Sequence, residues 1–106
     1  MSPEAYDIYE AHIRYGKVVY PRPCLITGKI VAGRVTALAI SSAMELCKGL
    51  PRHFTIDDTD ADFQFTGLKR TSYIDLDDNS EIELHALIRK RGRIQGDLKK
   101  RLAKLI

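Results

Sequence analysis

An arginine between two prolines, together with two adjacent serines, is the feature of this sequence best suited to phosphate chemistry. Arg22 lies in V-V-Y-P-R-P-C-L-I-T, residues 18–27, and Ser41 and Ser42 end the apolar run R-V-T-A-L-A-I-S-S, residues 34–42. Each proline fixes its own backbone and extends the residue before it, so Arg22 loses little freedom when it binds a ligand. If the two runs pair as strands, a guanidinium and a hydroxyl meet at one rim of a sheet, where both can bind a phosphate.

Each of these residues also has an ordinary structural role. Arg22 fits a surface arginine at a strand entrance equally well. Ser41 or Ser42 fits a helix N-cap, with Glu45 close to the capping-box position, in a short helical turn within residues 41–50. His12 fits an exposed histidine on a strand.

Short strands and turns must position these side chains. Alternating and continuous apolar patterns predict strands at residues 5–14, 24–31, 35–40, 52–56 and 71–76, with a last strand or irregular segment at 82–94. Residues 15–21 are predicted as a loop, and 31–34 and 77–80 as turns. A helix is predicted at 97–106, with an apolar stripe formed by Leu98, Leu102 and Leu105. This order predicts a mainly β, β-rich α+β fold, namely a small antiparallel barrel capped by the C-terminal helix.

The length of 106 residues predicts a single domain, residues 1–106. A composition with 44% apolar and 29% charged residues is typical of an ordered globular protein. The apolar runs are too short to span a membrane, and the polar opening Ser2-Pro3-Glu4 is unlike a signal peptide. We therefore expect a cytoplasmic protein that does not contact membranes.

Neither the cysteines nor the acidic segment has the spacing of a metal site. Cys24 and Cys47 lack C-x-x-C spacing, and residues 57–62 lack the glycine and the terminal glutamate of an EF-hand. We predict two buried thiols, no metal and no cofactor.

The net charge of +3 is distributed unevenly. Residues 57–83 contain nine acids against Lys69 and Arg70, whereas residues 89–104 contain eight bases against Asp97 alone. Such asymmetry is suited to a polyanion or an acidic peptide, although a solvated basic face produces the same pattern.

Six fragments, in this order, carry a resemblance to a known family. They are D-I-Y from residue 7, P-R-P-C-L-I-T from 21, A-L-A-I-S-S from 37, G-L-P-R-H-F-T-I from 49, F-T-G-L-K-R-T-S-Y-I from 65 and G-R-I-Q-G-D-L-K-K-R-L from 92. From about residue 6 to the end, the chain resembles the MazF/PemK family of toxins from type II toxin–antitoxin systems.

The resemblance implies a homodimer of SH3-like barrels that acts as a metal-independent, sequence-specific endoribonuclease. Cleavage of single-stranded RNA, such as mRNA, would leave 2′,3′-cyclic phosphate and 5′-hydroxyl ends and inhibit growth. A cognate antitoxin would lay an acidic, partly disordered tail into the groove where RNA binds.

The resemblance also assigns roles to residues. The family arginine matches Arg22, the serine or threonine that ends the third strand matches Ser41, and an aspartate after the fifth strand matches Asp77. We expect these three to be catalytic, and we expect RNA contacts from Ser42, Lys17, Arg14 and Lys69. The general base is chosen from Glu10, His12, His53 and Asp77, with Asp77 ranked first, because an arginine does not deprotonate in proteins.

The chain departs from the family pattern in three places. Its segment 14–21 is shorter than the family loop, Tyr6-Asp7 replaces a glycine–aspartate pair, and Asp78-Asn79-Ser80-Glu81 follows Asp77 in place of a glutamine and an arginine. The alternative function is therefore a non-enzymatic binding module of the same fold. Such a module would resemble the gyrase-poisoning toxins, or a degenerate toxin that only binds an antitoxin or RNA.

Overall fold

Six antiparallel strands form one sheet in the computed structural model, which describes residues 2–15, 17–43 and 52–106. The strands are β1 (Asp7–Tyr15), β2 (Val18–Ile26), β3 (Arg34–Ser41), β4 (His53–Ile56), β5 (Ser72–Glu83) and β6 (Leu87–Arg93), and a helix, α1 (Gly96–Ala103), follows them. Their order in the sheet is β4-β5-β3-β2-β1-β6. The predicted mainly β fold with a C-terminal helix is confirmed.

The sheet is covered on both faces. On the face packed against α1, a helix-side core contains Ile8, Leu25, Leu38, Ile40, Phe54, Ile56, Ile74, Leu76, Ile94, Leu98 and Leu102. On the other face, a second core contains Tyr9, Ala11, Cys24, Ile26, Val35, Ala37 and Leu87. Because β3 supplies side chains to both cores, its nearly continuous apolar sequence is explained.

The C-terminal helix is shorter than its sequence predicts. Leu98 and Leu102 are fully buried, as expected, but α1 ends at Ala103 and Leu105 is 44% exposed. The Leu105 N–H donates to the Leu102 carbonyl, three residues back, so the last turn tightens and rotates Leu105 off the apolar stripe. The prediction that Leu105 packs in that stripe is wrong.

The prediction of a loop at residues 15–21 is also wrong, because β2 begins at Val18 and contains both prolines. The Thr27 N–H donates to the Thr36 carbonyl of β3. Alternate residues of a strand turn their N–H groups to the same neighbour, so Pro23 and Pro21 also turn their nitrogens toward β3. Their pairing with β1 therefore loses no hydrogen bond, and β1 and β2 stay paired as far as Tyr15 and Val18.

The β2–β3 connection ends in the turn that the sequence predicts. Val31 and Arg34 exchange both backbone hydrogen bonds, at 2.8 and 3.0 Å. Between them Ala32 and Gly33 have φ angles of +52° and +75°, as a type I′ turn requires.

Strand β5 bends where the sequence predicts a turn. Leu38 of β3 pairs with Asn79, but Ile40 pairs with Ile74. On β3 only Ala39 lies between these two pairs, whereas on β5 the four residues 75–78 lie between them. Extra residues on one strand form a bulge that bends it without ending it. The strand prediction for 71–76 is thus extended to Glu83, and the turn prediction for 77–80 is wrong.

The sheet ends at β4 and β6, and no pair among the described residues joins these two strands. The connection between β4 and β5 lies against β6 instead, where Arg91 Nη2 donates to the Gly67 carbonyl at 2.9 Å. The sheet is therefore open, and its closure into an SH3-like barrel stays a prediction. In the described ranges, no helix has the length and apolar character needed to cross a membrane.

Candidate functional site

A gap opens between β2 and β3 at the end of their pairing. The pairs Ile26↔Ala37, Leu25↔Leu38 and Cys24↔Ala39 join the two strands, and the pairing stops there. In the same register Pro23 would face Ile40, but a proline has no N–H to donate to the Ile40 carbonyl. Beyond the gap, β2 continues beside β1 and β3 continues beside β5.

Arg22 and Ser41 lie on the two sides of this gap. Each is two residues beyond the pair Cys24↔Ala39, so both side chains project from the same face of the sheet as that pair. Leu38 and Ile40 both belong to the helix-side core, which shows that β3 alternates regularly up to this point. The structure thus brings Arg22 and Ser41 to one end and one face, as their positions in the sequence predict.

The Arg22 guanidinium is held by an aromatic ring. Its carbon lies 5.6 Å from the centre of the Tyr20 ring, two residues earlier on the same face of β2. No ion pair joins Arg22 to a carboxylate of the described residues. Its charge is therefore available to an anion, and the ring and the prolines limit the conformations that it samples.

Ser41 makes the contact expected of a capping serine. Its Oγ accepts a hydrogen bond from the Ala43 N–H at 3.1 Å, and none of the described residues accepts its own hydroxyl hydrogen. Ser42 beside it is exposed. Most of the segment predicted as a helical turn lies outside the described residues, and so do Glu45 and Cys47.

A cleft of about 380 Å³ lies next to the gap. Its floor is formed by the small side chains of Cys24, Ala37 and Ala39, together with larger apolar residues. One wall comes from β1, with His12 and Arg14, and the opposite wall comes from β5, with Asp78, Ser80, Glu81 and Glu83. Arg22 and Ser41 are one pleat, about 7 Å, beyond this floor and are not part of the lining.

Asp77 is engaged elsewhere. Its Oδ1 lies 3.2 Å from Arg52 Nη1, and Arg52 Nη2 donates to the Leu105 carbonyl at 2.5 Å. Asp77 does not line the cleft, whereas its neighbour Asp78 does. The bend in β5 separates these two adjacent carboxylates.

The other candidate general bases differ in position. Glu10 accepts a hydrogen bond from Arg89 Nε at 2.8 Å, and His53 lies on the edge strand β4 opposite Asp75. His12 lines the cleft, opposite Pro21 and next to Ala11, the partner of Arg22. Of the four candidates, His12 is the one in the cleft lining.

The predicted RNA-contacting cations are dispersed. Arg14 lines the cleft and Lys17 is exposed between β1 and β2, whereas Lys69 is exposed in the connection before β5 and does not line the cleft. Residues 11–44 contain no acid at all, so the hairpin of β1 and β2 is positively charged from Arg14 to Arg22. The structure brings Arg14 and Lys17, but not Lys69, to that hairpin.

The basic C-terminal region is neutralised in part within the chain. Arg89 pairs with Glu10, Lys90 lies 3.3 Å from buried Asp7, and Arg101 lies 2.7 Å from Asp60. Lys99 lies over the Tyr6 ring, and Arg91 donates to a backbone carbonyl. These contacts reduce the charge that this region offers to a polyanion, so the β1–β2 hairpin is the better anion-binding surface.

Burial raises the pKa of the Cys24 thiol to about 11. At neutral pH the sulfur is protonated, and a protonated thiol is neither a nucleophile nor a metal ligand. Among the described residues no group of three or more His, Cys, Asp or Glu side chains is arranged to hold a metal ion.

Sequence reasoning missed the cleft itself. The signal was available in A-L-A of residues 37–39, where the alternate positions facing one side are both small. Sequence reasoning named Asp77 and not its neighbour Asp78. The bend that separates the two follows from the pairing of β5 with β3, which the sequence does not show.

No protein-family model matches the sequence, and no curated protein matches it significantly.

Proposed function

We propose that this protein is a metal-independent endoribonuclease of the MazF/PemK type, the toxin of a type II toxin–antitoxin system. Its substrate is single-stranded RNA, and its products are a 2′,3′-cyclic phosphate and a 5′-hydroxyl. The observation that carries the proposal is the register between β2 and β3, which puts Arg22 and Ser41 on one face at the same step beyond the last pair.

In this reaction the ribose 2′-oxygen attacks the adjacent phosphorus, and negative charge accumulates on the nonbridging oxygens. The Arg22 guanidinium supplies two parallel N–H donors to those oxygens, and its charge does not titrate away. The Ser41 hydroxyl, which already accepts from Ala43, donates its remaining hydrogen to the same phosphate. The phosphorus–O5′ bond breaks as the new bond to the 2′-oxygen forms.

The general base is left open between two candidates. His12 belongs to the cleft lining, but it pairs with Pro21, so its side chain projects from the face opposite Arg22. Whichever group acts takes the 2′-hydroxyl proton, and the departing O5′ receives a proton from the protonated base or from water. Asp77 was the first choice of the sequence resemblance, but its carboxylate is occupied by Arg52. Its role as a base stays a prediction that the experiment below also tests.

The proposal includes two partners. An acidic, partly disordered segment of a cognate antitoxin would bind the acid-free end of the β1–β2 hairpin, where Arg14, Lys17 and Arg22 are exposed. The second partner is another copy of the same chain, so the proposed toxin is a homodimer, located in the cytoplasm. Exposed Val18, Val19 and Tyr20 at the start of β2 offer apolar area for such contacts.

The test is cleavage of a long single-stranded RNA in EDTA by the purified protein and its variants. Arg22→Ala is expected to lower the rate by about a hundred- to a thousandfold, as for other preorganised donors to a developing oxyanion. Ser41→Ala lowers it less, because one neutral hydrogen bond is lost. His12→Ala and Asp77→Ala test the two candidate bases, and loss of the true base is expected to lower the rate by about 10²- to 10⁴-fold.

Lys100→Ala is the matched control, since it also removes one exposed cation, on α1 and away from the gap. It should retain the parent rate and melting temperature. Equal residual cutting by the parent and by a folded Arg22→Ala variant would mean that the activity is not at this site. The larger loss between His12→Ala and Asp77→Ala would identify the base.

One observation favours the non-enzymatic alternative. Asp78, Glu81 and Glu83 form the β5 wall of the cleft and repel a polyanion that lies along it. A module that binds a protein partner has no need to overcome this repulsion. Binding of RNA or an acidic peptide without cleavage in the assay above would select this alternative.

A further inference from the structure

We propose that the cleft between His12 and Asp78 binds an unstacked guanine base of the RNA, with Asp78 reading its Watson–Crick edge. This inference rests on the proposed function, because it assigns a base-recognition subsite beside the phosphate site at Arg22 and Ser41. In this arrangement a carboxylate of the acidic wall selects the base, instead of only repelling the phosphates.

The floor of the cleft is suited to a flat ring. Cys24 and Ala39 are directly opposite each other on β2 and β3, and Ala37 follows on the same face of β3. These side chains are short and leave space above them. Cys24 and Ala37 are themselves buried, so a ring would contact chiefly Ala39 and the walls of the cleft. A volume of about 380 Å³ lies within the range of about 300–1,000 Å³ that is common for small-molecule sites.

The wall of the cleft contains a carboxylate with no cation to neutralise it. Glu81 and Glu83 both lie near Arg34, at 3.7 and 3.4 Å. No ion pair joins Asp78 to a cation of the described residues, and Asp78 lines the cleft. Asp78 lies in the bulge of β5, so its backbone takes no part in the pairing between β5 and β3.

A carboxylate selects among the bases by hydrogen-bond pattern. Its two oxygens only accept, so they match a base edge that presents two adjacent donors. Guanine presents N1–H and the N2 amino group side by side. Adenine and cytosine place an acceptor beside their amino group, and uracil places N3–H between two carbonyl oxygens. Hydrogen bonds to a charged acceptor are the stronger ones, so the match is worth more than a neutral pair.

The cations are placed for the backbone of the same strand. Arg14 lies in the opposite wall of the cleft, and Arg22 lies one pleat beyond its floor. A nucleotide whose base enters the cleft therefore has its phosphates near positive charge and its base edge near negative charge. In nucleic-acid recognition, contacts with phosphates commonly position the strand, and contacts with base edges provide the sequence specificity.

The experiment measures binding without cleavage. Fluorescence anisotropy in EDTA would compare short 2′-O-methyl oligouridines that carry one central guanosine, adenosine, cytidine or inosine. The 2′-O-methyl group blocks formation of the cyclic phosphate. Guanosine is expected to bind about tenfold or more tighter than adenosine or uridine, and inosine, which lacks the N2 amino group, to lose most of that preference.

Asp78→Ala and Asp77→Ala form a matched pair of variants. Both remove one negative charge at neighbouring positions, so both should raise the affinity for plain oligouridine by a similar electrostatic amount. Asp78→Ala alone should abolish the preference for guanosine. A second variant, Ala39→Leu, fills the floor and should lower guanosine binding without changing the affinity for oligouridine.

The outcomes distinguish this inference from the proposed function. Cleavage of RNA with no guanosine preference in binding, or a preference that survives Asp78→Ala, would overturn the guanine site and leave the nuclease intact. Guanosine-selective binding without cleavage would support the guanine site and overturn the nuclease. Failure of every oligonucleotide to bind would overturn both.

Discussion

Cys24 lies directly opposite Ala39, and this pair is the last that joins β2 to β3. On one side of the pair the sheet is continuous, and on the other the two strands separate and carry Arg22 and Ser41 apart from the hydrogen-bonded ladder. The cause is chemical, since the next residue of β2 that turns its nitrogen toward β3 is Pro23. A missing N–H thus creates the opening on whose two sides Arg22 and Ser41 lie.

Replacing Pro23 tests this account of the gap. Pro23→Ala supplies an N–H toward Ile40, and the β2–β3 ladder is expected to extend by one pair. The new amide should exchange with solvent hydrogen at least about tenfold more slowly than the Val19 amide, which faces the same side and has no backbone partner among the described residues. The stability change should stay within about 1 kcal/mol, because the added hydrogen bond offsets the lost rigidity of the proline.

Native-state hydrogen exchange followed by NMR gives the measurement, and the unaltered Val19 amide is the internal control. If the amide of residue 23 exchanges as fast as that of Val19, the proline is not what ends the pairing. Cleavage by the Pro23→Ala variant should also decrease, because closure of the gap moves Arg22 toward the ladder.

The buried thiol predicts a pH dependence of stability. Burial raises the pKa of Cys24 from 9.0 to about 11, so the unfolded chain loses this proton at a lower pH than the folded one. The stabilising contribution is complete below pH 9 and is lost as the pH rises toward 11. Because each pKa unit is worth about 1.4 kcal/mol, the free energy of unfolding should fall by roughly 2–3 kcal/mol over this interval.

Urea unfolding at several pH values would compare the parent with Cys24→Ala. The variant lacks the titrating thiol, so its curve should be flatter between pH 9 and 11. The pKa of Tyr9 is also raised, chiefly by burial, and its contribution remains in both proteins. Parallel curves would show that Cys24 is not shielded from water as the structure describes.

Two glycines with the same backbone conformation should respond differently to alanine. Gly67 and Gly33 have φ angles of +72° and +75°, so each substitution incurs the cost of a left-handed L-residue, about 1–2 kcal/mol. At Gly33 an added Cβ meets no atom within 4 Å, whereas at Gly67 it would lie 2.1 Å from the Arg91 carbonyl oxygen. Gly67→Ala is therefore expected to be the more destabilising by at least about 1 kcal/mol.

Thermal and urea unfolding of the two variants would measure this difference, with Gly33→Ala as the control for the conformational term. Equal losses would mean that the β4–β5 connection does not lie against β6. In that case the segment around Gly67 would not cover the edge of β6.

The sequence by itself determined the local features of this protein. Apolar patterns located part of every strand, although they missed the start of β2. Ala32-Gly33 located the β2–β3 turn, and Leu98 and Leu102 located the buried side of α1. It also identified Arg22 and Ser41, because a bracketed arginine and a serine at the end of an apolar run are visible without any pairing. These features depend on neighbours within a few residues, and the physical preferences of single side chains suffice to read them.

Only the tertiary structure decided the rest. Whether Asp77 or Asp78 enters the cleft depends on a bulge in β5, and the bulge exists because two distant strands pair in one register on each side of it. The basic charge after residue 88 looks free in the sequence, but Arg89 pairs with a carboxylate 79 residues away. Register and ion pairing are non-local, so a chain read in order shows which groups are present and not which of them meet.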